Sequence, residues 1–299
     1  MKQDAKTQEK QDGHTILIIA GPTAGGKSAR AIEAAHERNG VIINCDSMQV
    51  YDALPLLTAQ PPKEDLEQAP HRLYSALHPN DPCSAGTWRQ MVDPVISEVL
   101  AQGKTPIIVG GSGLYIKALT EGLSPIPDVP DEIRREAVAL QEKLGNPSFH
   151  AELAKRDPVM AARFHPFHTA RLVRAWEVLE ATGKSLSEWQ KEDRLAPPDE
   201  WNFEIEIIIP ERSTLHRRCN DRFLWMMENG APEEAEAFSK RVDSGEINTG
   251  IPVLKALGYK QLLGYINGDL TREQAIEQAQ AKTRQYAKQQ VTWFRHQLK

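Results

Sequence analysis

The chain has 299 residues, a formal net charge of −5, 40% hydrophobic residues and 26% charged residues. This is the composition of a folded globular protein with one large domain and an insertion, or two modest domains, and it excludes wholesale disorder. The acidic balance excludes a protein that coats nucleic acid nonspecifically, and no apolar run approaches the roughly 18 residues that span a bilayer.

Residues 1–13 are polar and mixed in charge, unlike a signal or transit peptide, and are expected to fray. Thr15-Ile16-Leu17-Ile18-Ile19-Ala20 is a continuous apolar run ending at a glycine, the profile of a strand buried on both faces. Residues 27–39 read as a helix with Ala29, Ala31, Ile32 and Ala35 on its inner side. Val41-Ile42-Ile43-Asn44 is a second buried strand leading to Asp46. A proline-rich loop (Pro55, Pro61, Pro62, Pro70) precedes a helix over residues 88–102 and a third strand, Thr105-Pro106-Ile107-Ile108-Val109, which runs into Gly110-Gly111. Strands and helices alternating at this spacing predict an α/β fold with a parallel, doubly wound sheet.

The pattern changes beyond Gly122. Ser124-Pro125-Ile126-Pro127-Asp128-Val129-Pro130 is a proline-rich break, residues 131–190 are helical in character, and Ala196-Pro197-Pro198 is a second break. Residues 203–209 then read as a strand returning to the sheet, followed by helices over 215–229 and 232–242, another near Lys260, and a last one from 271 onward. The expected organisation is a core in two parts, 14–122 and 200–299, around a helical insertion at 123–199. Cys45, Cys83 and Cys219 are far apart with no C-x-x-C pair, which speaks against a disulfide framework or structural zinc and for a reducing, cytoplasmic setting. Residues 282–299 carry Lys282, Arg284, Lys288, Arg295 and Lys299 and no acid. Such a run suits either a solvated helix end or a local nucleic-acid footprint.

Gly21-Pro22-Thr23-Ala24-Gly25-Gly26-Lys27-Ser28 matches G-x-x-x-x-G-K-[ST], between a predicted strand and a predicted helix. The glycines let backbone N–H groups converge on one anion, Lys27 supplies a mobile positive charge, and Ser28 offers a hydroxyl to Mg2+. The helix N-terminus adds its own partial positive charge. The loop binds a polyphosphate without saying which: ATP, GTP or another organic diphosphate all suit it, so the motif alone defines a nucleotide-binding type of phosphoryl-transfer enzyme. Asp46, at the carboxyl end of the second strand, faces the same crevice. It suits metal-bound water, proton abstraction, or simply a turn or helix cap.

Several further segments accompany the Pro-Thr-Ala form of the phosphate loop: Asp46-Ser47-Met48-Gln49-Val50-Tyr51, Val109-Gly110-Gly111-Ser112-Gly113-Leu114-Tyr115, and Ala161-Ala162-Arg163-x-His165-Pro166. Arg171-x-x-Arg174-Ala175-x-Glu177-Val178, Leu257-Gly258-Tyr259-Lys260, and a final motif from Thr283-Arg284 through Tyr286, Lys288, Gln290 and Trp293 to Arg295 complete the set. Together these segments resemble the bacterial tRNA dimethylallyltransferase family, also called tRNA isopentenyltransferases or IPP transferases. The chain departs from the family in having Asp52 to Pro61 where Arg-Gly-Met-Asp-Ile-Gly-Thr-Ala-Lys-Pro is usual. Phe167-His168 also replaces Asn-Asp, and Gln289 replaces an arginine.

The resemblance implies a P-loop NTPase-like sheet with a helical insertion that contacts tRNA. It also implies transfer of a dimethylallyl group from dimethylallyl diphosphate to the N6 amine of the adenosine 3′ to the anticodon, tRNA position 37. Thr23, Lys27, Ser28 and Mg2+ would stabilise the departing diphosphate, with Arg218 and Arg222, four apart on one helix face, clamping its oxygens. Asp46 would take the proton of the amine, Gln49 would read the adenine edge, and Ser47, Met48 and Ser112 would lie beside the target nucleotide. Arg134, Arg163, Arg171 and Arg174, with Lys288 and Arg295 in the last helix, would contact the anticodon stem-loop, and Trp293 reads as core. The implied protein is a cytoplasmic monomer with no membrane partner. Three other readings share parts of the pattern: a small-molecule P-loop kinase, a nucleotide-regulated RNA-binding protein without chemistry, and an isopentenyltransferase acting on free AMP.

Overall fold

The computed structural model describes residues 13–298. The polar segment before them, and Lys299 of the basic tail, lie outside the described residues. Five strands form one sheet: β1 (His14–Ala20), β2 (Gly40–Asn44), a two-residue β3 (His71–Arg72), β4 (Thr105–Gly110) and β5 (Trp201–Ile207). Their order is β3-β2-β4-β1-β5 and every pairing is parallel. The apolar runs of β1, β2 and β4 occupy the centre, aligned as Leu17↔Ile107 and Ile42↔Ile107, because strands covered on both faces bury every side chain. β5 is an edge strand whose Glu204 and Glu206 are met by Arg38 at 2.6 Å and Arg30 at 3.1 Å. It begins two residues before the sequence-predicted 203–209, with His14↔Trp201. Beyond its end Ile208 still donates to the Ala20 carbonyl at 2.8 Å.

Helix α1 (Lys27–Arg38) covers one face, packing Ala31, Ile32, Ala34 and Ala35 on Leu17, Ile19, Ile42 and Ile107. The sequence-predicted loop between β2 and the next long helix contains a short exposed helix, α2 (Lys63–Gln68), besides β3. On the opposite face lie α3 (Ala85–Ala101) and α4 (Gly113–Glu121). Trp88 of α3 is fully buried, donates to the Asn44 carbonyl at 3.0 Å and stacks on Tyr115 of α4.

By its internal contacts the chain divides into two compact units, one holding the residues up to Thr120 with those from Pro198 onward, the other Glu121–Pro197. The second unit is helical throughout: α5 (Asp131–Arg156), broken at Gly145 where φ is 71°, α6 (Pro158–Arg163), α7 (Thr169–Thr182) and the one-turn α8 (Leu186–Trp189). Its core gathers Phe149, Leu153, Met160, Leu172 and Val178. Asp157 caps α6 on the Met160 N–H and accepts from the Ser185 hydroxyl at 2.6 Å. In the first unit the chain continues as α9 (Arg212–Glu228), α10 (Ala231–Asp243), a 3-10 turn (Pro252–Lys255), α11 (Tyr259–Ile266) and the long α12 (Arg272–Gln297). These helices share a core with the loop after β2, through Tyr51, Leu54, Leu57, Phe223, Met226, Tyr259 and Ala279. Among the described residues no helix is long and apolar enough to cross a membrane.

Candidate active site

The carboxyl ends of β1, β2 and β4 and the middle turns of α9 bring the candidate residues together. After β1 the loop 21–28 curls so that Gly26, at φ 100°, is the left-handed N-cap of α1, a conformation that costs a side-chain-bearing residue far more than glycine. Helix α9 holds this loop from outside. Arg222 donates to the Thr23 hydroxyl at 2.6 Å and Arg218 donates to the Gly25 carbonyl at 3.2 Å. The two arginines therefore converge on the loop. Lys27 Nζ turns back to donate to the Pro22 carbonyl at 2.8 Å. Its pKa is lowered from 10.5 to about 8, chiefly by burial; Asp46 opposes the shift and Arg222 adds to it. Burial also lowers the pKa of Arg222, against the pull of Cys219 and Asp46.

Asp46 follows β2. Its Oδ1 accepts the Met48 N–H at 2.9 Å, an Asx turn. Its own N–H donates to Asn44 Oδ1 at 2.8 Å, and Asn44 is anchored in turn on the Leu73 carbonyl at 3.0 Å. Ser112, just after β4, accepts the Ser47 N–H at 3.0 Å, tying the ends of β2 and β4 together. Gln49 donates both amide hydrogens into the following loop, to the carbonyls of Thr58 at 2.9 Å and Ala59 at 2.7 Å. Both amide hydrogens of Gln49 are therefore engaged within the protein, and a bidentate amide grip on adenine is not on offer in this arrangement. The loop itself is fixed by Glu234 of α10, whose carboxylate accepts the N–H groups of Leu56 and Leu57.

Two cavities flank the phosphate loop, and Arg222 lines both. The outer one, of about 620 Å³, is bounded by Gly25, Gly26, Arg30, Glu206 and Arg218. The inner one, of about 160 Å³, combines Thr23, Asp46 and Arg222 with Met48, Leu57, Phe223, Met226, Leu257 and Tyr286. It offers charge and hydrogen bonds together with an apolar wall.

The remaining sequence-predicted residues belong to the second unit and to α12. Arg134 on α5, Arg163 on α6, and Arg171 and Arg174 on α7 are exposed on the second unit. Arg163 donates to Gln190, Arg171 sits over the Phe164 ring at 6.0 Å, and Arg174 pairs with Glu177 at 2.6 Å. Lys288 and Arg295 are exposed on α12, whereas Trp293 of the same helix is half-buried against the sheet-face core and meets Phe294 edge-on. Sequence reasoning assigned no role to Gln290, whose side chain reaches the phosphate loop, nor to Glu234. Both act by approaches between residues distant along the chain; Gln290 stands in the last of the matched motifs, but spacing does not tell what its side chain reaches.

A parallel sheet whose first strand feeds a glycine-rich loop and a helix N-terminus, with Lys27 and Ser28 at that turn, defines a P-loop α/β protein. The IPP transferase family model matches residues 49–297, and the chain belongs to that family. The tRNA dimethylallyltransferase of Rhodospirillum centenum is 47% identical over 283 residues, 95% of this chain and 89% of that relative. That of Agrobacterium fabrum is 44% identical over 282 residues, 94% of this chain and 93% of the relative. Among solved structures, the tRNA isopentenylpyrophosphate transferase of Bacillus halodurans aligns with a TM-score of 0.66 at 32% identity, covering 95% of this chain and 88% of that one. A eukaryotic dimethylallyltransferase acting on tRNA aligns with a TM-score of 0.78 at 29% identity, covering 94% and 70%. The family and the fold expected from the motifs are both borne out.

Proposed function

We propose that this chain is a tRNA dimethylallyltransferase, moving the dimethylallyl group of dimethylallyl diphosphate to the N6 amine of the adenosine 3′ to the anticodon and releasing diphosphate. One observation carries the reading: the phosphate loop borders a small cavity in which Thr23, Asp46 and Arg222 meet Leu57, Phe223, Met226 and Leu257. A phosphoryl donor reacts at its terminal phosphorus and needs no apolar chamber beside the loop. A prenyl diphosphate needs a phosphate cradle and a hydrocarbon pocket in contact.

In this mechanism the loop N–H groups, Lys27, Arg218 and Arg222 hold the diphosphate. The allylic C–O bond breaks with its electron pair going to the diphosphate oxygen, the adenine N6 forms the new C–N bond, and Asp46 accepts the proton that N6 loses. Because charge grows on the leaving group, fixed positive groups stabilise the transition state more than the ground state. Among the described residues no cluster of three His, Cys, Asp or Glu side chains exists that would cage a metal. The donor set fits Mg2+, which the exposed Ser28 hydroxyl at the start of α1 would hold together with substrate oxygens and water. When bound, the ion neutralises diphosphate charge. The anticodon stem-loop meets Ser47, Met48, Gln49 and Ser112 around the target, and Arg134, Arg163, Arg171, Arg174, Lys288 and Arg295 on its backbone.

Incubation with unmodified tRNA, Mg2+ and dimethylallyl diphosphate, followed by nucleoside mass analysis, tests the proposal, and one adenosine should gain a five-carbon prenyl unit. Consumption of ATP with small acceptors and no change in tRNA mass would return the chain to the kinases. Prenylation of free AMP in preference to tRNA would place it with the AMP-directed enzymes.

The lowered pKa of Lys27 has a measurable sign. A bound diphosphate favours the ammonium, so donor binding holds Lys27 protonated above the pH at which the free enzyme loses that proton. Affinity for dimethylallyl diphosphate should be level below pH about 8 and fall as pH rises further, by up to about tenfold per unit, with net proton uptake by the complex. Calorimetry in buffers of different ionisation enthalpy reads the uptake, and an affinity independent of pH between 7 and about 9.5 would refute it.

A separate expectation concerns α12. Neutralising Lys288 and Arg295 together should raise the KM for tRNA and flatten its log–log salt dependence by about one unit per lost phosphate contact. Donor affinity should stay the same. A solvated helix end would leave both slope and KM unchanged.

A further inference from the structure

Resting on the prenyl-transfer reading, we infer that Gln290 is a positioning residue that sets the donor cradle at a fixed distance from the acceptor-side loop. Gln290 lies on α12 and is 6% exposed. Its Oε1 accepts the Thr23 N–H of the phosphate loop at 2.8 Å, and its Nε2 donates to the Gly111 carbonyl at the end of β4 at 3.0 Å. One planar amide thus bridges two backbone groups, one on each side of the reacting centre. On the donor side it holds Thr23, whose hydroxyl accepts from Arg222 at 2.6 Å. On the acceptor side Gly111 precedes Ser112, which accepts the Ser47 N–H next to Asp46 at 3.0 Å. The chain Arg222, Thr23, Gln290, Gly111, Ser112, Ser47 is continuous in hydrogen bonds except for the one peptide link between Gly111 and Ser112.

The glycines of this segment make room for the bridge. A Cβ on Gly111 would lie 2.3 Å from Gln290 Nε2, and one on Gly113 would lie 2.3 Å from the Trp293 ring. Helix α12 is therefore seated directly on the turn that carries Ser112. A further consequence follows for the cradle itself: the Thr23 N–H is spent on Gln290, so the phosphate is held without it, by the remaining loop N–H groups and the side chains of Lys27, Arg218 and Arg222. The bond to Gly111 is buried and the bond to Thr23 partly so, and losing either partner of a bond shielded from water leaves an unsatisfied group. Displacing one reactant by about 1 Å costs about 10²-fold in rate without a corresponding loss of binding.

The test is steady-state and single-turnover prenyl transfer by full-length Gln290→Ala, by the isosteric Gln290→Glu, which keeps the acceptor but loses the donor, and by Gly111→Ala. Each is expected to lower kcat by about 10- to 10²-fold while the KM values for tRNA and dimethylallyl diphosphate change by less than about threefold. Gly111→Ala and Gln290→Ala combined should be no slower than the worse single variant, because both break the same link. A folded Gln290→Ala with wild-type kcat, or losses that multiply in the double variant, would overturn the inference. A second measurement stands apart from turnover. Hydrogen exchange at the Thr23 amide of the free enzyme should be slow in wild type and fast in Gln290→Ala and Gly111→Ala. Absence of tRNA prenylation by wild type would count against the functional reading, whereas unprotected Thr23 in wild type would count against the bridge.

Discussion

Asp46→Asn is expected to slow prenyl transfer by about 10²–10⁴-fold, the range for loss of a general base, while binding of dimethylallyl diphosphate survives. Two functions meet in this side chain, and the amide separates them. As an Asx-turn residue Asp46 accepts the Met48 N–H at 2.9 Å, which asparagine does equally well through its own Oδ1. As a base it must take up a proton from N6, which an amide does not do at neutral pH. The fold around the turn should survive the change, since Asn44, Ser112 and the buried Val50 and Tyr51 fix the segment on either side. Asp46→Ala removes both functions and should cost stability as well as rate. Single-turnover rates and thermal unfolding of the two variants resolve the roles. A wild-type rate in a well-folded Asp46→Asn would leave Asp46 as a turn residue only.

How far the sequence reveals this molecule depends on the range of the forces involved. β1, β2 and β4 are legible because a strand covered on both faces is apolar without interruption, and Ile16 to Ala20 and Ile107 to Val109 show that directly. β3 escapes because two residues at a sheet edge have no period, and α2 escapes because none of its residues is buried. Helix α4 is hidden by its start inside Gly111-Ser112-Gly113, where glycines signal a turn, although their role is to admit Gln290 and Trp293.

The site divides along the same line. Lys27 and Ser28 follow from spacing alone, since a helix N-terminus after a buried strand positions them whatever the rest of the chain does. Arg222 is suggested by its spacing from Arg218, but its contact with Thr23 spans 199 positions. The Gln290 contact spans 267. The loop at residues 52–61 is instructive in another way. It lacks the family's two basic residues, yet it keeps a defined shape through Leu54 and Leu57 in the core and through Glu234 on its backbone. The changes there alter what the loop presents to solvent and leave its anchoring to buried contacts.

Replacing Lys27 by methionine, which keeps the length of the stem and removes the charge, should lower kcat by about 10²–10³-fold, comparable to deleting a donor from an oxyanion hole. Affinity for dimethylallyl diphosphate should fall as well, but by less. The split follows from where the charge is needed. A diphosphate ester already carries negative charge in the ground state, and Arg218, Arg222 and the loop N–H groups share it. As the allylic C–O bond breaks, further charge moves onto the leaving oxygen, and only groups whose interaction strengthens at that moment raise kcat. A lysine acting by uniform binding would instead raise KM with kcat unchanged. Stability supplies an independent reading of the same residue. Because burial lowers the pKa of Lys27 to about 8 from 10.5, holding it charged at neutral pH destabilises the free enzyme. That cost is present below the folded pKa of about 8 and fades as pH rises toward the unfolded value. The methionine variant should therefore unfold at the same temperature as wild type or higher at pH 7, and the difference should shrink at higher pH. Dimethylallyl diphosphate should stabilise wild type far more than the variant. Equal ligand-induced shifts in Tm, or a variant that loses affinity without losing kcat, would assign Lys27 to ground-state binding and remove it from the chemical step.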